Sequence, residues 1–163
     1  MIAASSSKTM LIQLVPITLP AGDAPTTVKV DVRAEREKLL DAAGGRSLDV
    51  TLELDDVEAE KNPGVYYEVY VGLPKGAKAE SNSRFYVGNI ALYGTGIRSE
   101  ARGDFRPASF SFVITGAIRS ALRPDGSQEL NLMFVPRGGA ASAARIERPS
   151  ICTQPRLRKG SSK

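Results

Sequence analysis

The chemistry open to this sequence is bounded first by a residue type it lacks. Its 163 residues include no histidine. That removes the usual general base, the commonest metal ligand and any Ser-His or Cys-His nucleophile pair at once. Cys152 is the single cysteine, so no internal disulfide can form. Without an imidazole nearby, only arginines or a helix end would lower its pKa, and a structural or incidental thiol is the favoured reading. Asp55, Asp56, Glu58 and Glu60 in LDDVEAEK suggest calcium binding or a carboxylate pair. The glycine and distal glutamate of an EF-hand loop are missing, however, so the run reads as a solvated strand end. YGTGIRSEARG, Tyr93 to Gly103, starts like a phosphate loop, but Ser99 stands where the third glycine belongs and no Gly-Lys-Ser/Thr follows. What survives is a polar loop able to make contacts. Neither a catalytic residue nor a bound cofactor or metal is expected in this chain.

The net charge is +4, and Arg156, Arg158, Lys159 and Lys163 match that excess, so the body is near neutral. We expect one domain over residues 1–152 and a basic, disordered tail over 153–163. Ten aromatics spread over the chain, with no recognition motif beside the tail, argue against a nucleic-acid partner. No apolar run approaches the roughly 20 residues of a bilayer span, which argues against a membrane protein. The N-terminal apolar stretch is interrupted by Gln13 and Pro16 and makes a poor signal peptide. The expectation is a soluble protein of open compartment, a bacterial cytoplasm among the options.

The elements that would position any surface read mostly as strands. Lys8–Leu19 is largely apolar, and TTVKVDV alternates Val28, Val30 and Val32 with Lys29 and Asp31. SLDVTLEL alternates Leu48, Val50, Leu52 and Leu54 with Asp49, Thr51 and Glu53, the pattern of a strand buried on one face. Further strands are expected at Val65–Val71, Ser83–Gly94, Ser109–Gly116, Glu129–Pro136 and Ala144–Ile151. AEREKLLDAAGG should form a short helix stopped by Gly44 and Gly45. TGAIRSALRPDG should form another, with Thr115 as N-cap and Pro124-Asp125-Gly126 as breaker. Short strands, Gly- and Pro-bearing turns and too little helix for crossovers predict an all-β fold, an antiparallel sandwich or barrel of jelly-roll type with one or two short helices.

GVYYEVYVGLPKG, Gly64 to Gly76, is the most informative stretch. Tyr66, Glu68 and Tyr70 face one side of a strand, and Val65, Tyr67, Val69 and Val71 face the other. Both faces are partly apolar, which predicts a central strand. The strand ends at Gly72, Pro74 biases Leu73 toward an extended backbone, and the loop beyond is polar. An anchor under its own loop and a contact for another domain are both open readings of Leu73.

This stretch resembles the strand and loop of the C-terminal domain of tyrosinases and polyphenol oxidases, where plant members carry a Lys-Phe-Asp-Val core. Tyr67 stands at that phenylalanine here. SRFYVGNIALYG, ITGAIRSAL and ELNLMFVPRGG resemble later segments of the same domain in the same order, so the likeness spans roughly residues 16–151. The basic end, Arg156 to Lys163, matches nothing in it. The resemblance implies a β-rich unit that covers the dicopper site of a separate, histidine-rich catalytic domain, keeps that enzyme latent and assists its folding, and so a tyrosinase catalytic domain as partner. It implies copper in that partner and none here. It also implies an apolar residue inserted into the substrate pocket as a placeholder, possibilities being Leu73 first, then Tyr93 and Ile97, with Gly72 and Pro74 completing the contacting loop. The alternative from another class is a stand-alone ligand-binding sandwich, for carbohydrate or adhesion, with Tyr66, Tyr67, Tyr70 and Tyr93 as stacking platforms.

Overall fold

The computed structural model describes residues 7–92, 95–101, 103–122 and 128–156. Along them run β1 (Thr9–Gln13), β2 (Ile17–Leu19), β3 (Thr26–Asp31), α1 (Arg36–Gly44), β4 (Leu48–Glu58), β5 (Tyr66–Val71), β6 (Tyr86–Ile90), β7 (Ala108–Val113), α2 (Thr115–Ala121), β8 (Glu129–Arg137) and β9 (Ala144–Pro155). One sheet has the order β1-β9-β4-β7, with β2 also paired to β9; the other has the order β3-β8-β5-β6. Every ladder within the two sheets is antiparallel. Two facing sheets resolve the expected sandwich-or-barrel choice as a sandwich.

The core forms where the inward residues of both sheets meet. Val50, Leu52 and Leu54 of β4 and Ile151 of β9 meet Val69 and Val71 of β5 and Leu130, Leu132 and Phe134 of β8 in one cluster. The two sheets touch where β6 faces β7. Gly88 has φ 156°, and a Cβ there would lie 2.5 Å from two ring carbons of Phe112, so the absent side chain makes room for the ring. The helices contact each other and β4, with Leu39, Ala42 and Ala43 of α1 and Ala117 and Ile118 of α2 buried.

Four expectations need correction. The single strand expected over Lys8–Leu19 is two, β1 and β2, split at the Leu14–Pro16 step; Pro16 has no N–H to give a ladder. Thr115 is the first residue of α2, not its cap. Its hydroxyl accepts from Val50 N at 2.9 Å and donates to Asp49 Oδ1 at 3.1 Å, tying the helix start to β4. The boundary placed after Cys152 falls inside β9, which continues to Pro155. Beyond it Arg156 Nε meets Asp49 Oδ1 at 3.1 Å, so ordered chain reaches four residues into the expected tail. Residues 157–163 and the Pro124-Asp125-Gly126 breaker lie outside the described residues.

Last, the polar face of β4 is not solvated. Thr51 is 0% and Glu53 7% exposed, because β9 and β7 flank β4 on both sides. Lys8 Nζ reaches Glu53 Oε1 at 3.0 Å, and Ser111 Oγ donates to Oε2 at 2.7 Å. Burial alone would raise the Glu53 pKa, but donation from Ser111 and Lys8 outweighs it and holds the carboxyl below its ordinary value. The neighbouring Thr51 hydroxyl has no partner at hydrogen-bonding distance, so its influence on the carboxylate is at most dipolar. A depressed folded-state pKa gives stability that is complete above the unfolded value of about 4.3 and is lost as pH falls through the folded one. Acid titration of thermal stability should therefore fall less steeply below about pH 4 in Glu53→Gln than in the wild type. Parallel curves would remove Glu53 from the acid transition.

Candidate functional site

The loop leaving β5 is built on a second, smaller core. β5 lies between β8 and β6, central as its sequence predicts. On its outer face Tyr70 is 0% and Glu68 7% exposed, because the chain after Gly72 folds back across that face. Leu73, Tyr70 and Val135 form a buried cluster, and Ala79, Phe85, Tyr86 and Met133 pack against it. Tyr70 and Tyr86 meet edge to face, with centroids 5.6 Å apart.

A polar network lies beside this cluster. Arg137 Nε donates to Glu68 Oε1 at 2.7 Å, Tyr70 Oη donates to the same oxygen at 2.9 Å, and Arg137 Nη2 donates to the Ala79 carbonyl at 2.7 Å. Burial, then the Glu68 carboxylate, push the Tyr70 phenol up to about 12, with Arg137 pulling the other way. The Arg137 guanidinium is held above its ordinary value, by Glu68 first and then by Tyr70. Sequence reading missed Glu68 and Arg137 as a pair. They sit almost opposite each other on β5 and β8 but 69 residues apart in the chain.

Each residue singled out from the sequence, Tyr93 apart, has a definite place. Leu73 is 4% exposed, so of its two readings the structure takes the anchor under its own loop. Gly72 has φ 77°, which lets the chain turn, and Pro74 is exposed at the start of the crossing segment. Ile97 is 2% exposed and belongs to the main core. It is held there by a parallel bridge to Ala59 and by Arg98 N donating to the Ala59 carbonyl. The structure does not bring Leu73 and Ile97 onto one surface, since they lie in separate buried clusters. Tyr93 lies outside the described residues. Of the proposed stacking tyrosines, Tyr67 and Tyr70 are buried and Tyr66 is 40% exposed, so one of the three described rings is open to a ligand.

The carboxylate run is engaged by arginines, Asp56 with Arg148 at 2.6 Å and Glu58 with Arg98 at 2.8 Å. Among the described residues no three His, Cys, Asp or Glu side chains converge on a point that could hold a metal ion. With no histidine in the sequence, this chain's donors do not fit a type 3 copper centre. No helix among the described residues is long and apolar enough to cross a membrane.

The two-sheet sandwich is the fold of the C-terminal domain region of latent polyphenol oxidases. A recombinant latent aurone synthase, described as a polyphenol oxidase, matches with a TM-score of 0.55 at 15% identity, over 92% of this chain and 29% of that one. Latent apple tyrosinase matches with a TM-score of 0.51 at 15% identity, over 85% of this chain and 27% of that one. At such identities the likeness establishes the fold, and this chain spans less than a third of those proteins' length. The chain belongs to the family described as a domain of unknown function, DUF7868, whose model matches residues 9–154. No curated protein matches it.

Proposed function

We propose that this chain is the companion domain of a type 3 copper phenol oxidase, covering the dicopper site of a tyrosinase catalytic domain and keeping it latent. The observation that carries this reading is the match of nearly the whole chain, 92%, to only 29% of a latent polyphenol oxidase. That proportion leaves room for a catalytic unit elsewhere. Copper then belongs to the partner, because this chain has no histidine to ligate it.

Closure is steric, and no residue here has to react. The loop leaving β5, with Gly72, Leu73 and Pro74, approaches the pocket, and Leu73 is the placeholder once it leaves its own cluster. Ile97 is too deeply packed to follow it, so its loop contributes the exposed Arg98, Ser99 and Glu100 instead. Burying one leucine contributes roughly 1.5–3 kcal/mol, too little to join two free proteins. A covalent tether holds the loop at an effective concentration on the order of millimolar, and a contact of roughly 600–1,500 Å² around it supplies the remaining closure.

The test is to purify the chain from its source with whatever accompanies it, then assay copper and catechol oxidation before and after mild detergent or limited proteolysis. A histidine-rich, copper-loaded partner whose activity rises several-fold on treatment is the expected result. A chain that comes out alone, copper-free and silent throughout overturns the proposal.

A further inference from the structure

The segment from Pro74 to Asn82 crosses the outer face of the β3-β8-β5-β6 sheet as a strap, exposed at every residue except Ala79. Its backbone hydrogen bonds are local turns: Ala77 N donates to the Pro74 carbonyl, and the Glu80 carbonyl accepts from the adjoining Ser83 N. Among the described residues and beyond that adjoining turn, a single hydrogen bond ties this strap to the rest of the fold, from Arg137 Nη2 to the Ala79 carbonyl at 2.7 Å. The same guanidinium is fixed from behind by Glu68, through Nε at 2.7 Å. The Arg137 side chain is nevertheless 39% exposed, against 10% for Glu68. Beneath the strap lie Leu73, Tyr70, Val135 and Met133.

We propose that Arg137 is a latch that keeps the strap closed and Leu73 stowed, and that a carboxylate on a docking partner opens it by drawing the guanidinium away from Ala79. The chemistry suits such an exchange. A guanidinium has five N–H donors in one plane, and the bonds to Glu68 and Ala79 use two of them. An incoming carboxylate can engage the exposed edge while Glu68 still neutralises the charge. Loss of the Ala79 bond leaves the strap held only by its apolar anchors, Leu73 and Phe85 at its ends and Ala79 at its middle. Lifting it brings Leu73 into solvent, where it can enter a partner's pocket. That last consequence rests on the covering-domain reading above, whereas the latch does not.

The experiment is hydrogen exchange on this chain alone, comparing wild type with Arg137→Met and Arg137→Lys. Arg137→Met keeps much of the apolar stem and loses the donors. Arg137→Lys keeps the charge facing Glu68 but lacks the fork that bridges to Ala79, and it serves if the Met variant fails to fold. Exchange at the hydrogen-bonded amides of the segment, Ala77, Ser83 and Phe85, should quicken about tenfold or more in either variant, as expected for one lost charge-assisted hydrogen bond, while β4 and β9 keep wild-type protection. Unchanged exchange in the strap, or equal acceleration throughout the fold, overturns the latch. Failure here leaves the covering-domain reading standing. If the strap opens in the variants but the full oxidase keeps wild-type latency, Leu73 is not the placeholder and the latch stands.

Discussion

Gly72→Ala should cost this chain a large part of its stability. Gly72 has φ 77°, and an added Cβ would sit 2.3 Å from Ala121 Cβ. The left-handed backbone alone costs an alanine about 1–2 kcal/mol. The overlap with α2 adds about 1–3 kcal/mol, because one side or the other must shift in a packed region. Gly72 also closes the sheet end through its N–H, which donates to the Asn131 carbonyl at 2.7 Å, so the backbone cannot easily swing away. A total of about 2–5 kcal/mol is a large share of the roughly 5–15 kcal/mol that keeps a domain folded. Thermal melting should show a drop of about 5–15 °C. Gly76→Ala is the control: φ there is 85°, yet nothing lies within 4 Å of the added Cβ, so only the backbone cost applies. Equal losses in the two variants would mean that α2 does not press on the β5 exit.

How much of this was legible in the sequence depended on how local the determining contacts were. The alternation in SLDVTLEL located β4, and the two apolar faces of GVYYEVYV placed β5 at the centre of its sheet, because each pattern is decided within a few residues. The fate of Leu73 was not local. Its pocket is made by Val135 and Met133 of β8, some sixty residues on, and by a strap whose own composition is polar. The same holds for Glu53 and Thr51. Their side chains read as solvent-facing until β9 and β7 are known to flank them. Thr115 was misread for a related reason, since its hydroxyl serves β4 rather than its own helix. The candidate loop was singled out through resemblance and the strand that precedes it, but whether its leucine was free or stowed required the pairing of distant strands.

The state of Leu73 gives the second large effect. Leu73→Ala should destabilise this chain by about 2–4 kcal/mol, the ordinary loss for a leucine truncated in a packed environment. A leucine held out in solvent for a partner would instead change stability by no more than about 0.5 kcal/mol. Urea midpoints of the isolated chain separate the two, and Lys75→Ala, on the exposed part of the strap, sets the scale for a change that touches no core. A near-zero result for Leu73→Ala would mean that the strap lies open in solution and the small cluster is not its resting state. On the proposed covering role, with Leu73 as placeholder, the same variant should also raise basal diphenol oxidation by the copper-bearing partner. The two readouts answer different questions, since the first measures the pocket that holds this leucine and the second the pocket it would enter under that proposal. Leu73→Met makes the distinction sharp, because a volume-conserving swap should cost less than about 1.5 kcal/mol in its own cluster. Latency lost in Leu73→Met at nearly wild-type stability would then report on the fit to the partner's pocket, free of any contribution from unfolding.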